Sequence, residues 1–195
     1  MILSLFKKDP EKTVAASIYD SVVDAARQPA FFADCGVPDT VEGRFEVLIL
    51  FMFLSLRRLK KSGATTRSLA QKLFDVFFKN MDHTLRELGV GDLSVAKRVR
   101  KMAEAFYGRT GAYDAAIDNS DVIALTEKII LNVYGTTPSN SSDSVEASGA
   151  ASIANYMLMT DAQLDEQDDA ALLAGVIHFH QFSPCSTGVG DNVHV

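Results

Sequence analysis

A chain of 195 residues buries roughly 70% of its unfolded surface on folding, enough for one domain with a sizeable core and no metal or disulfide staple. Hydrophobic residues at 47% and charged residues at 23% are ordinary for a soluble globular protein. The net charge of -6 conceals a segregation: up to Thr110 there are 18 Lys and Arg against 13 Asp and Glu, and from Gly111 onward Lys128 alone opposes 12 acids. The chain reads as an electrical dipole, which bears on partners rather than on fold: the cations near Arg57, Arg58, Lys60 and Lys61, or near Lys97, Arg98, Arg100 and Lys101, read either as solvated helix faces or as a surface facing anionic lipid or ribosomal RNA. Cys35 and Cys185 have no metal or redox spacing and fit a reducing compartment. The start, Met1 to Lys8, puts its apolar residues before its lysines, the reverse of an export signal.

Along the chain, Val14, Ile18, Val22 and Ala26 recur every four residues and predict an amphipathic helix from Lys12 to Arg27, ended by Pro29. A loop carrying Phe31, Phe32 and Pro38 follows. Asp39 and Glu42 have capping-box spacing with Asp39 at the cap and open a predicted helix from Thr40 to Lys61. Its centre, Val47 to Leu56, is apolar on all sides but half the length of the about 20 residues a membrane span needs. It reads as a central buried helix. The other reading is an interfacial or client-binding segment, with Arg57, Arg58, Lys60 and Lys61 meeting lipid phosphates or ribosomal RNA.

Leu73, Phe77, Met81, Leu85 and Leu88 then form the stripe of a helix stopped by Gly89. A second helix, capped by Asp92 or Ser94, carries Val95, Val99, Met102 and Phe106 and is expected to end at Gly108. A short helical turn over Gly111 to Ile117 and a helix from Asp121 to Tyr134, capped by Ser120, come next. Residues 136–149 read as an exposed Ser-rich loop. Ala150 to Met159 is a predicted helix, Thr160 and Gln163 a further capping box, and Ala170 to His180 a last helix. The expected architecture is all-α: a single-domain helical bundle over residues 1–182, of about six to eight helices around a central apolar helix, with a disordered tail over 183–195.

The chemistry of common enzymes is missing. There is no glycine-rich phosphate loop, dinucleotide fingerprint, HExxH or nucleophile elbow. His178 and His180 diverge if helical, His83 and Glu87 make at most a surface pair at i and i+4, and Cys35 has no base near it in sequence. No catalytic residue, metal or cofactor is expected, and an enzyme built on Asp82, Asp114 and His83 would need a pocket that brings them together.

The polar residues between Met81 and Asp114 exceed what two helices require. Asp75 with Lys79 and Asp82 with Arg86 are favourably oriented helix pairs, and Gly89 and Gly91 suit the turn. Arg109, Tyr113 and Asp114 have no such role. Either Arg109 pairs with Asp82 or Asp114 in a buried network, or Tyr107, Arg109 and Tyr113 line a surface that recognises a partner.

Met81-Asp82, Arg86-Glu87, Gly89-Val90-Gly91-Asp92, Lys97, Lys101, Phe106-Tyr107-Gly108-Arg109 and Ala112-Tyr113-Asp114 together resemble the central signature of the ubiquinol-cytochrome c chaperone family, assembly factors for respiratory complex III. The resemblance runs from about Tyr19 to Asp118, and Ala170 to Phe179 is similar to the closing segment of bacterial members. It implies a chaperone of cytochrome b or another complex III subunit, working near the ribosome exit region or the inner-membrane surface, alone or as a homodimer. It implies partner-binding roles for Asp82, Arg86, Glu87, Asp92, Lys97, Lys101, Tyr107, Arg109, Tyr113 and Asp114. A bacterial cytoplasmic protein at the inner face of the membrane is expected. The alternative is a helical carrier for a quinone, lipid or haem.

Overall fold

The computed structural model describes residues 9–135 and 145–183. The expectations for Met1 to Lys8, for residues 136–144 and for the tail from 184 lie outside them. Every regular element among the described residues is helical: α1 Pro10–Ala26, α2 Ala30–Ala33, α3 Val41–Lys61, α4 Ala64–Glu87, α5 Asp92–Asp118, α6 Val122–Ile129, α7 Val145–Asp165 and α8 Asp169–Leu173. A π-helical stretch, Ile130–Tyr134, continues α6.

The apolar helix is the centre of the bundle. Val47, the run from Ile49 to Leu54, Leu56 and Leu59 are all buried in α3, around which α1, α4, α5, α7 and the π-helical stretch pack. Its start differs from the expected capping box. Thr40 is the cap, its hydroxyl accepting from the Gly43 N–H at 3.1 Å, while Asp39 pairs with Arg44 at 2.5 Å. The Thr40 hydroxyl satisfies one of the amide donors that a helix start leaves open.

α4 and α5 form a long antiparallel hairpin. α4 ends as its sequence predicts, with Gly89 in the left-handed region at φ 78° and the Val90 N–H returning to the Leu85 carbonyl at 3.0 Å. α5 departs from prediction in both directions. No side chain caps it, since neither Asp92 nor Ser94 does so, and it passes through Gly108 and Gly111 as one helix of 27 residues. Each internal glycine costs a helix about 0.5–1 kcal/mol relative to alanine, and burial of Phe106, Tyr113, Ala116 and Ile117 offsets that cost. Outward of Met81 on α4 and of Phe106 on α5, nothing joins the main core; Val95 is the one buried side chain there.

Asp121, not Ser120, caps α6 by accepting from the Ala124 N–H at 2.9 Å; Ser120 takes φ 51° in the preceding turn. Gly135, left-handed at φ 68°, ends the π-helical stretch. α7 is longer than expected at both ends, and Thr160 is buried inside it rather than capping a new helix. The close packing of α7 depends on Gly149, whose missing Cβ would fall 2.1 Å from the Cys35 carbonyl oxygen. α8 stops after five residues because Gly175, at φ 87°, turns the chain away. The following segment is non-helical. Gln167 clamps His178 through its backbone N–H (3.0 Å) and carbonyl (2.7 Å), and Phe182 stacks on Phe31 with ring centroids 4.3 Å apart.

Candidate functional site

Folding brings part of the basic half of the sequence against the acidic half. Arg57, on α3, donates from Nε to Asp161 of α7 at 2.9 Å, from Nη2 to Asp118 of α5 at 2.5 Å, and from Nη1 to Asp114. Desolvation works against the Arg57 charge, but the hydrogen bonds to Asp118, Asp114 and Asp161 outweigh it and raise its pKa. Arg58 is buried and donates to the Leu164 and Gln167 carbonyls and to Asp169 at 2.7 Å. Lys61 holds Asp161 at 3.2 Å and Asp165 at 2.6 Å. Three of the four cations read as a lipid or RNA contact therefore bind the acidic half of the same chain. Lys60 is exposed and has no carboxylate partner among the described residues.

Between α3, α4 and α5 lies a groove of about 680 Å³. Phe53 and Leu56 of α3, Ala70 and Phe74 of α4, and Phe106 of α5 give it an apolar floor; Tyr107, Thr110 and Gly111 form the α5 wall. Its shape follows from residue size. Ala70 and Gly111 are too small to fill the space between the helices, and an added Cβ on Gly111 would meet nothing within 4 Å. The aromatic side is firm, with Phe74 5.8 Å from Phe106 and 5.6 Å from Tyr107 between ring centroids. Lys60 and Arg67 stand at the rim, and Arg67 Nε donates to the Lys60 carbonyl at 3.3 Å. The groove is of ligand-pocket size, and its walls carry no His, Cys or Met.

The ten signature residues separate into three places. Tyr107 and Asp114 line the groove. Asp82, Arg86, Glu87, Asp92, Lys97 and Lys101 sit on the outer hairpin, where Arg86 pairs with Asp82 at 2.6 Å and also with Asp92. Arg109 and Tyr113 face inward. Arg109 takes neither predicted partner: its Nη2 meets Glu46 Oε1 of α3 at 2.7 Å. Glu46 Oε2 and Arg109 Nε are buried without a partner, and burial pushes the Glu46 carboxyl up to about 7 despite the pull of Arg109. Tyr113 is fully buried, 5.7 Å from Phe53, with its hydroxyl accepting from Asn132 Nδ2 at 3.2 Å. It belongs to the core and not to a surface.

Asp82, Asp114 and His83 do not converge; His83 pairs with Glu87 at 3.2 Å on the exposed face of α4. Burial, with Asp34 nearby, pushes the Cys35 thiol up to about 11, so a thiolate is disfavoured at neutral pH. Sequence reasoning missed Ala70, Phe74, Gly111 and Glu46. For Glu46 a signal was present, an acid immediately before the all-round apolar run of α3. No helix among the described residues is long and apolar enough to cross a membrane.

The chain is similar to known proteins in sequence and in fold. A crystal structure of the Cbp3 homolog from Brucella abortus is 41% identical, with a TM-score of 0.77 over 92% of this chain and 97% of its own. Ubiquinol-cytochrome-c reductase complex assembly factor 1 of Xenopus laevis is 25% identical over 112 residues, 57% of this chain and 56% of that protein. Its Mus musculus counterpart is 26% identical over 110 residues, 56% of this chain and 37% of that protein. The chain matches about half or less of the length of these two relatives. A family model described as ubiquinol-cytochrome C chaperone matches residues 33–179. That span runs from the end of α2 past α8 and includes all three helices that wall the groove, and the chain belongs to the ubiquinol-cytochrome c chaperone family.

Proposed function

We propose that this chain is a non-catalytic chaperone that holds an apolar segment of cytochrome b during biogenesis of complex III, with the groove between α3, α4 and α5 as the holding site. The observation that carries the reading is the groove itself: an apolar floor of Phe53, Leu56, Phe74 and Phe106, open along an edge formed by exposed Tyr107 and Gly111. An unassembled membrane subunit exposes apolar surface to water, and covering it gains roughly 25 cal/mol per Å². An open groove lets such a segment enter and leave sideways, as a transient holder requires.

Lys60 and Arg67 at the rim complement carboxylates or phosphates flanking the client segment. A haem carrier is less well supported, since the groove walls carry no His, Cys or Met to hold the iron.

The test is depletion of the protein followed by measurement of haem b absorbance and immunodetected cytochrome b in membranes. The expected result is loss of cytochrome b with other respiratory complexes retained. A photo-crosslinking residue in place of Tyr107 should capture cytochrome b. Capture of a different complex III subunit would keep the groove and change the client; unchanged cytochrome b on depletion would reject the reading.

A further inference from the structure

The groove leaves the outer half of the α4–α5 hairpin without a role. Its tip presents Leu88, 62% exposed, and Leu93, 94% exposed, on the two sides of the Gly89-Val90-Gly91 turn. Of the acids around that tip, Asp82 and Asp92 share the single cation Arg86, and Glu87 lies against His83. Lys97, Arg98, Arg100 and Lys101 are all exposed on α5 with no carboxylate partner among the described residues, unlike Arg57, Arg58 and Lys61 of α3. Leu93, Lys97 and Lys101 follow one another at four-residue steps, so an apolar tip and a basic flank share one face of α5.

We infer that the tip of the α4–α5 hairpin is a docking surface for anionic phospholipid bilayers. Leu88 and Leu93 enter the acyl boundary, and the α5 cations meet headgroup phosphates while their stems lie along the apolar region. RNA is the other polyanion these cations could neutralise, but single-stranded RNA is gripped by stacking on aromatic rings. From Lys79 to Ala105 the hairpin has no Phe, Tyr or Trp, and exposed leucines gain nothing from a phosphate backbone. Lipid explains both halves of the patch. The inference uses neither α3 nor the groove walls, so it stands or falls apart from the client reading.

The test is co-sedimentation of the full chain with phosphatidylcholine vesicles, with and without about 30% phosphatidylglycerol. Binding is expected only with the anionic lipid, weakening as salt shortens the screening length. Leu88→Ser with Leu93→Ser should weaken it about tenfold or more, as should alanine at the four cations together. All six side chains are exposed, so unfolding midpoints should hold. A separate Leu93→Trp variant should show a blue-shifted emission on anionic vesicles. Absence of binding, equal binding to neutral vesicles, or wild-type binding by the leucine variant would overturn the inference. Retention on a single-stranded RNA oligonucleotide without vesicle binding would assign the cations to RNA and overturn it as well.

Discussion

Arg57 Nε and Asp161 Oδ1 lie 2.9 Å apart, joining α3 to α7 across 104 positions of sequence, with each side chain only 10% exposed. This contact makes the basic and acidic halves of the chain one folded unit. Arg57→Ala leaves Asp161 buried with Lys61 as its one remaining ion-pair partner among the described residues. A loss of about 3 kcal/mol is expected for removing one partner of a buried ion pair, measured as a lower urea midpoint. Asp118→Asn, which touches only the exposed end of the same guanidinium, should move the midpoint little.

Glu46 makes stability depend on pH in a particular direction. Its carboxyl titrates near 7 in the folded protein, against 4.5 when unfolded, so the folded state binds more protons between those values. Stability from this group is fully present below about 4.5 and is lost as pH rises through about 7, by an amount on the order of 3 kcal/mol. Asp118 and Asp169, held below their ordinary range by hydrogen bonds from Arg57 and Arg58, act oppositely and lose their contribution in acid. Thermal melts from pH 5 to 8 should therefore fall for the wild type and stay flatter for Glu46→Gln. Parallel curves would remove Glu46 as the cause.

Two glycines in helices should respond to alanine with opposite signs. Gly149→Ala drives a Cβ to 2.1 Å from the Cys35 carbonyl oxygen and 2.6 Å from the Tyr134 hydroxyl, which itself donates to that carbonyl at 2.6 Å. Overpacking against backbone should cost 1–3 kcal/mol or more. Gly108→Ala meets nothing within 4 Å and should stabilise α5 by about 0.5–1 kcal/mol. Denaturant curves of the two variants check both.

Gly111 allows the groove to be filled without touching the core. Gly111 lines the same groove as Phe74 and Phe106, and a Cβ added there meets nothing within 4 Å, so Gly111→Phe places a ring at the α5 wall of the groove. The variant should fold with a wild-type melting temperature, yet fail to restore cytochrome b in depleted cells. Full complementation by a folded Gly111→Phe protein would exclude the groove as the client site.

By itself the sequence determined the helical class, the central place of the Val47 to Leu56 run, the turn at Gly89 and the family signature. These rest on periodicity, all-round apolarity and left-handed glycine, which are properties of neighbouring residues. Tertiary structure alone decided that α5 runs on through Gly108 and Gly111, because burial of Phe106 and Tyr113 outweighs a local preference to stop. It also decided which charges remain available. Arg57 and Lys101 are equally basic in the sequence, but carboxylates from α5 and α7 reach the first and none among the described residues reaches the second. The groove is a tertiary product for the same reason: Ala70, Phe74 and Gly111 are unremarkable until α3, α4 and α5 pack at a distance their side chains do not fill.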